Sequence, residues 1–317
     1  MPRLLHVLNG QGTATPFQNS GLPGDLTVWN EALALGPVIL EIGTKKFWDL
    51  RKNYHSNAYF GLHEELQPNE SFEQLVLTHI QKLHESREYQ EIILWFEFDL
   101  FCQINLIALA SWLEDQNLGD VIVSLVCIES FPGITNFKGM GQLGPDDFAQ
   151  LFPLRRRLTI NDLKQAKEIW KCYCDPDPSK INKALVRQKF TAFPYLVHAL
   201  QKHLQRFPSI KNGLSELESL MLNTVANGSY SQKELVGALL KKDRWYGFGD
   251  LYYYLLIQRL TPLLTINNQV EVNATGQAVI NGEQDFLDIQ TESIPLGGSF
   301  NTDFRWDMDK NSLIRNV

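Results

Sequence analysis

Four side chains that can give or take a proton, His6, Asp25, Glu31 and Asp99, lie in or beside short apolar runs of this 317-residue chain. Two amides, Asn9 and Gln103, stand close to the first and last of them. Carboxylates and an imidazole brought within hydrogen-bond reach of a ligand can do general acid–base work, with neighbouring amides to orient it. The run Asn9-Gly10-Gln11-Gly12 adds a flexible turn whose N–H groups can face an anion. Asn9, Gly10, Gly12, Trp29 and Gln103 therefore form the candidate ligand-binding set, and His6, Asp25, Glu31 and Asp99 the candidate catalytic set. Plainer readings compete at each position. A dinucleotide fingerprint needs a third glycine and a phosphate loop needs a lysine, and neither follows Gly12, so this run also reads as a simple turn. Asp99 reads equally as a helix N-cap, a role compatible with a site. Asp25 reads as a cap and Glu31 as a solvated surface charge.

The elements that must position these residues can be read from periodicity. Residues 3–8 and 92–96 are apolar runs of the kind covered on both faces, and 121–128 is a third. Leu100 to Leu113 is apolar nearly all round and reads as a buried helix. Strand, helix and strand at this spacing make a βαβ unit and predict a mostly parallel, Rossmann-like sheet flanked by helices. Ligands of such sheets sit beyond the strand carboxyl ends, where His6–Gly12 and Asp99–Gln103 are expected to meet. Residues 45–56 and 71–87 are predicted to be amphipathic helices. Residues 26–31 read as a short strand followed by a helical turn stopped at Gly36-Pro37, and 130–154 as loop.

Three motifs carry a resemblance. They are His6-Val-Leu-Asn-Gly10, then Gly24-Asp25 with Trp29-Asn-Glu31 and Gly36-Pro37, and then Leu94-Trp-Phe-Glu-Phe-Asp99-Leu-Phe-Cys-Gln103. With Asn136-Phe-Lys-Gly-Met-Gly141, and on to Trp170, they resemble the bacterial domain-of-unknown-function 1835 family over about half the chain. The pattern from Gly249-Asp250 to Arg305-Trp306 is similar to the C-terminal part of some members. The resemblance implies a bacterial cytosolic protein and points to His6, Asn9, Asp25, Glu31, Asp99 and Gln103. It implies no activity. An acidic residue often follows the family's Asn-Gly, and Gln11 stands here instead.

Composition narrows the classes. A formal net charge of −7 disfavours a nucleic-acid-coating protein. No apolar run reaches the roughly 20 residues that span a bilayer, and the N-terminus lacks the layout of a signal peptide, so a cytoplasmic protein is expected. Cys102, Cys127, Cys172 and Cys174 suit neither a disulfide framework nor zinc-site spacing, so no metal is expected, and no cofactor can be named. From Arg155 to Lys189 ten Lys or Arg face four acids, a stretch that suits a phosphorylated ligand or simply a solvated face. From Gly213 onward, three helices and a hairpin about Asn267-Asn268 follow in winged-helix order. Residues 214–282 carry five basic and six acidic groups, which favours an interaction role over DNA reading. The expected plan is an α/β domain (1–154), a basic helical connector (155–212), a winged-helix-like domain (213–283) and a tail packing back (284–317). The expected function is binding, with or without chemical processing, of a small polar or phosphorylated ligand at the strand carboxyl ends of the α/β domain. The alternative is a non-enzymatic ligand-sensing regulator that contacts protein or DNA.

Overall fold

The computed structural model describes residues 3–58 and 71–316. Its centre is a five-stranded sheet built from β1 (Leu4–Asn9), β2 (Asp25–Trp29), β4 (Glu91–Glu97), β5 (Ile122–Ile128) and β6 (Arg156–Leu158), with β3 (Gly36–Pro37) lying outside it. The order is β2-β1-β4-β5-β6; every pairing is parallel except β5 with β6. The mixed α/β, mostly parallel architecture expected from the apolar runs is therefore present. Edge strand β6 is an addition to the expectation.

Alternation along each strand sorts side chains onto two covered faces. Leu5 and Val7 of β1, with Ile92, Leu94 and Phe96 of β4, pack in one cluster with the apolar helix α4 (Leu100–Asp115). Leu4, Leu8, Ile93 and Trp95 point the other way, onto Phe17 of α1 (Ala14–Gln18) and Phe148 of α5 (Pro145–Leu151). Gly144-Pro145 thus opens a helix where loop was expected: Pro145 occupies its first turn, and Asp147 Oδ2 accepts from the Gly144 N–H at 2.8 Å.

Helix α2 (Lys45–Ala58) forms as expected. The next expected helix is broken into a wide π turn (Glu73–Leu77), α3 (Thr78–Ile80) and a 3₁₀ stretch (Gln81–Glu88). There the Thr78 N–H and hydroxyl both reach the Glu73 carbonyl, five residues back, which widens the turn. Gly36-Pro37 stops no helix; it forms β3 instead.

After β6 come α6 (Ile160–Tyr173), α7 (Ser179–Arg187) and α8 (Leu196–Leu204). After them come α9 (Glu216–Ala226), α10 (Gln232–Lys242), α11 (Asp250–Arg259) and the hairpin β7 (Leu264–Ile266) and β8 (Val270–Val272). Tyr230, between α9 and α10, bridges to Val270. Two short helices follow, α12 (Ala274–Asn281) and α13 (Phe286–Ile289). The last strands are β9 (Pro295–Gly297), β10 (Ser299–Phe300), β11 (Phe304–Asp307) and β12 (Ser312–Arg315). Strand β9 pairs with β3, tying the end of the chain to its first fifty residues. One apolar cluster runs without a break from Leu5 to Trp306. No helix among the described residues is long and apolar enough to cross a membrane.

Candidate functional site

At the carboxyl end of β4, Asp99 leaves the strand in extended conformation and caps α4, its Oδ1 accepting from the Cys102 N–H at 2.8 Å. The first turns of α4 then point three side chains back at the strand ends. Gln103 donates to the Glu97 carbonyl at 2.6 Å. Asn105 donates to Asn9 Oδ1 of β1 at 2.8 Å and to the Glu31 carbonyl at 2.5 Å. Asn9 in turn donates to Cys102 Sγ at 2.9 Å, and the Cys102 thiol donates to Glu97 Oε2 at 3.0 Å. Glu97 Oε1 accepts from the Met140 N–H at 2.8 Å. A continuous buried hydrogen-bond chain therefore links β1, β4, α4 and the loop at 137–143.

Two segments close over this chain. The Met140 loop brings Gly139 against the Glu97 carboxylate. From the far side, residues 243–249 cross the N-terminus of α4: the Trp245 carbonyl accepts from Leu100 N–H at 2.7 Å and the Tyr246 carbonyl from Phe101 N–H at 3.1 Å. Asp243 Oδ1 shapes that crossing by accepting from the N–H groups of Trp245 and Tyr246. Gly247, at φ +68°, lies where any Cβ would collide with the Asp99 carboxylate. Lys138 fastens the two covers together through the Lys241 and Asp243 carbonyls. The crevice expected beyond the strand ends is thus filled by protein.

The electrostatics follow from this enclosure. Burial, reinforced by the Glu97 and Asp243 charges, pushes the Asp99 carboxyl up to about 8. Burial also raises Glu97 and raises the Cys102 thiol well above its ordinary range. Gln103 Oε1 and Trp29 Nε1 are buried without a hydrogen-bond partner among the described residues.

The four acid/base candidates do not converge, and each departure has a physical reason. His6 points to the α1/α5 face of the sheet, with Nε2 on the Pro23 carbonyl at 3.1 Å and Nδ1 accepting from Trp95 Nε1 at 3.2 Å. Both nitrogens are engaged, and burial lowers its pKa, so it is a neutral packing residue among Phe17, Trp95 and Phe152. Asp25 begins β2, at the opposite end of the strands, and accepts from Tyr89 OH at 2.9 Å. Glu31 is not solvated. Burial would raise its carboxyl, but Arg51 and His55 outweigh this and hold it at about 2. Arg51, fully buried, meets it at 2.5 Å and also donates to the carbonyls of Ala32, Leu35 and Pro37. Of the ligand-binding candidates, Asn9 and Gln103 join the Asp99 chain. Trp29 is buried, Gly10 returns its N–H to the Trp29 carbonyl, and Gly12 abuts Gly141.

Sequence reasoning missed Glu97, Cys102 and Asn105 in this chain, although Asn105 stands out as an amide in an otherwise apolar helix. It also missed Arg51 and His55, whose spacing of four on α2 puts both on one face toward Glu31.

An open site lies elsewhere. A cavity of about 580 Å³ is bounded by Gly36 and Tyr54, by Arg206 just past α8, by Tyr252 and Arg259 of α11, and by Glu292. This volume falls within the few hundred to about 1,000 Å³ typical of small-molecule sites. Arg206 is 7% exposed; it donates to the Ala34 carbonyl at 2.6 Å and lies over the Phe248 ring, and no carboxylate among the described residues pairs with it. Arg259 Nε donates to Glu218 Oε1 at 2.8 Å, but its Nη1 is buried with no hydrogen-bond partner among the described residues. Burial pushes the Tyr252 phenol up to about 12, so it stays a proton donor at neutral pH. A second hollow, of about 340 Å³ beside Trp306, offers only the exposed Lys211 and Glu216 as charges among the described residues. No protein-family model matches the chain, and no curated protein matches it.

Proposed function

We propose that the protein binds a small polar, anionic ligand, carboxylated or phosphorylated, in the cavity between the sheet-bearing part and α11. The observation that carries this is Arg206, buried on its wall with no carboxylate partner among the described residues, beside the unsatisfied Nη1 of Arg259. A buried cation without a carboxylate is costly unless an anion completes it, and a guanidinium takes oxyanions by charge-assisted hydrogen bonds. This reading keeps the ligand class expected from the sequence and moves it from the strand ends to the cavity.

A second reading, a ligand-sensing regulator, is favoured by the position of α11. In a winged-helix arrangement α11 is the helix that would read DNA, yet here its Tyr252 and Arg259 line the cavity. A ligand there would be felt directly by the helices and hairpin of residues 214–282.

The test is stabilisation by mass action. Orthophosphate or succinate, added at constant ionic strength against chloride, is expected to raise the thermal midpoint of the 317-residue chain. Arg206→Gln, first shown to be folded by circular dichroism, is expected to lose that response. A wild type that responds to neither anion, or an R206Q variant that responds equally, would sink the proposal.

A further inference from the structure

Resting on that reading of the cavity, we infer that Glu292 holds the place of an oxyanion of the ligand on Arg259, and that the ligand displaces it. Arg259 is positioned before any ligand arrives. Its side chain is 8% exposed, and its partner Glu218 is 7% exposed and is itself fixed by accepting from the Ser215 N–H at 2.7 Å. That pairing uses Nε and leaves Nη1 facing Glu292. The Glu292 carboxylate comes to 3.5 Å of Nη1, yet Nη1 has no hydrogen bond among the described residues. Glu292 is itself 66% exposed, so water screens the contact. Nη1, unlike Nε, therefore faces only a weak, solvated carboxylate in a position where a ligand's carboxylate or phosphate oxygen could accept properly.

The segment carrying Glu292 is built to hold it there without burying it. Residues 290–294, between α13 and β9, have no regular structure, and they are tied down on both sides of the glutamate. Gln290 donates to the Arg259 carbonyl at 3.4 Å and the Ile294 N–H to Asn301 Oδ1 at 2.6 Å. Ser293 and Ile294 also line the cavity, so movement of Glu292 is coupled to its rim. The same geometry selects the ligand. An oxyanion meeting Arg259 would have a second guanidinium, Arg206, on the same cavity wall, which favours a compound with two anionic or strongly accepting groups.

Glu292→Gln tests this without touching the buried ion pair. Orthophosphate and succinate are titrated by calorimetry into wild type, E292Q and the exposed-site control E283Q, at constant ionic strength. Removing the internal competitor is expected to tighten binding of at least one anion about threefold in E292Q, with E283Q unchanged. The anion that gains more identifies the phosphate or carboxylate class. Equal or weaker binding in E292Q, with wild type binding normally, would overturn the inference and leave the cavity reading standing. An equal gain in E283Q would reduce the effect to net charge and also overturn it. Absence of binding to all three proteins would overturn both.

Discussion

Replacing Asp99 by asparagine separates its two roles, because the amide keeps the cap while removing the charge. Asparagine and aspartate are about equally good N-caps, and Asn Oδ1 can still accept from the Cys102 N–H. What changes is linkage to pH. A carboxyl whose pKa rises from an ordinary 3.8 to about 8 on folding holds its proton more tightly in the native state. Its contribution to stability is fully present below about pH 4 and is lost as pH rises toward 8. Within that window each pH unit costs roughly 1 kcal/mol. The imidazoles of His6, His198 and His203, all lowered by burial, act in the opposite direction below pH 6.5. Both proteins share them, so the difference between wild type and D99N isolates the carboxyl. Urea unfolding followed by tryptophan fluorescence is expected to show wild type losing at least about 2 kcal/mol more than D99N between pH 5 and 8. Parallel stability curves would refute the account of Asp99 as a proton-holding group among Glu97, Cys102 and Asp243.

Glu31→Gln leaves the fully buried Arg51 without its counter-charge and is expected to cost about 3–5 kcal/mol in urea unfolding at pH 7. Because Glu31 is held at about 2, wild type should lose this stabilisation as pH falls from about 4.5 to 2, and E31Q should show a flatter acid limb. Gly247→Ala adds a Cβ against the Asp99 carboxylate at positive φ and is expected to cost more than about 1 kcal/mol, read as a lower denaturation midpoint. Lys138→Met unfastens the two covers and should speed hydrogen exchange at Met140, Leu100 and Phe101 while leaving the β1 amides protected.

The parallel sheet was legible because its strands are buried on both faces and so read as unbroken apolar runs. Strand parity could also have warned that His6 and Asn9, three residues apart on one strand, must face opposite sides. Asp99 was legible as a cap, and its amide neighbours Asn9 and Gln103 do meet around it. What local pattern could not carry is closure. Gly139 and Gly247 fill the strand-end crevice from segments about 40 and 150 residues downstream of Asp99, and nothing near Asp99 encodes their arrival. The cavity arginines were equally hidden, since Arg206 and Arg259 look like ordinary basic residues at helix ends until the tail folds over them.

The crossing of residues 243–249 over α4 also sets an order of assembly. The first-turn N–H groups of the central helix depend on carbonyls from a segment translated long after the sheet strands β1, β4 and β5. Until that segment emerges, a nascent chain would present a charged, hydrated helix start where the native protein has a sealed one. Sequence-distant closure of this kind slows folding and leaves apolar surface exposed meanwhile. The sealing of this helix start therefore waits on synthesis of the last third of the chain.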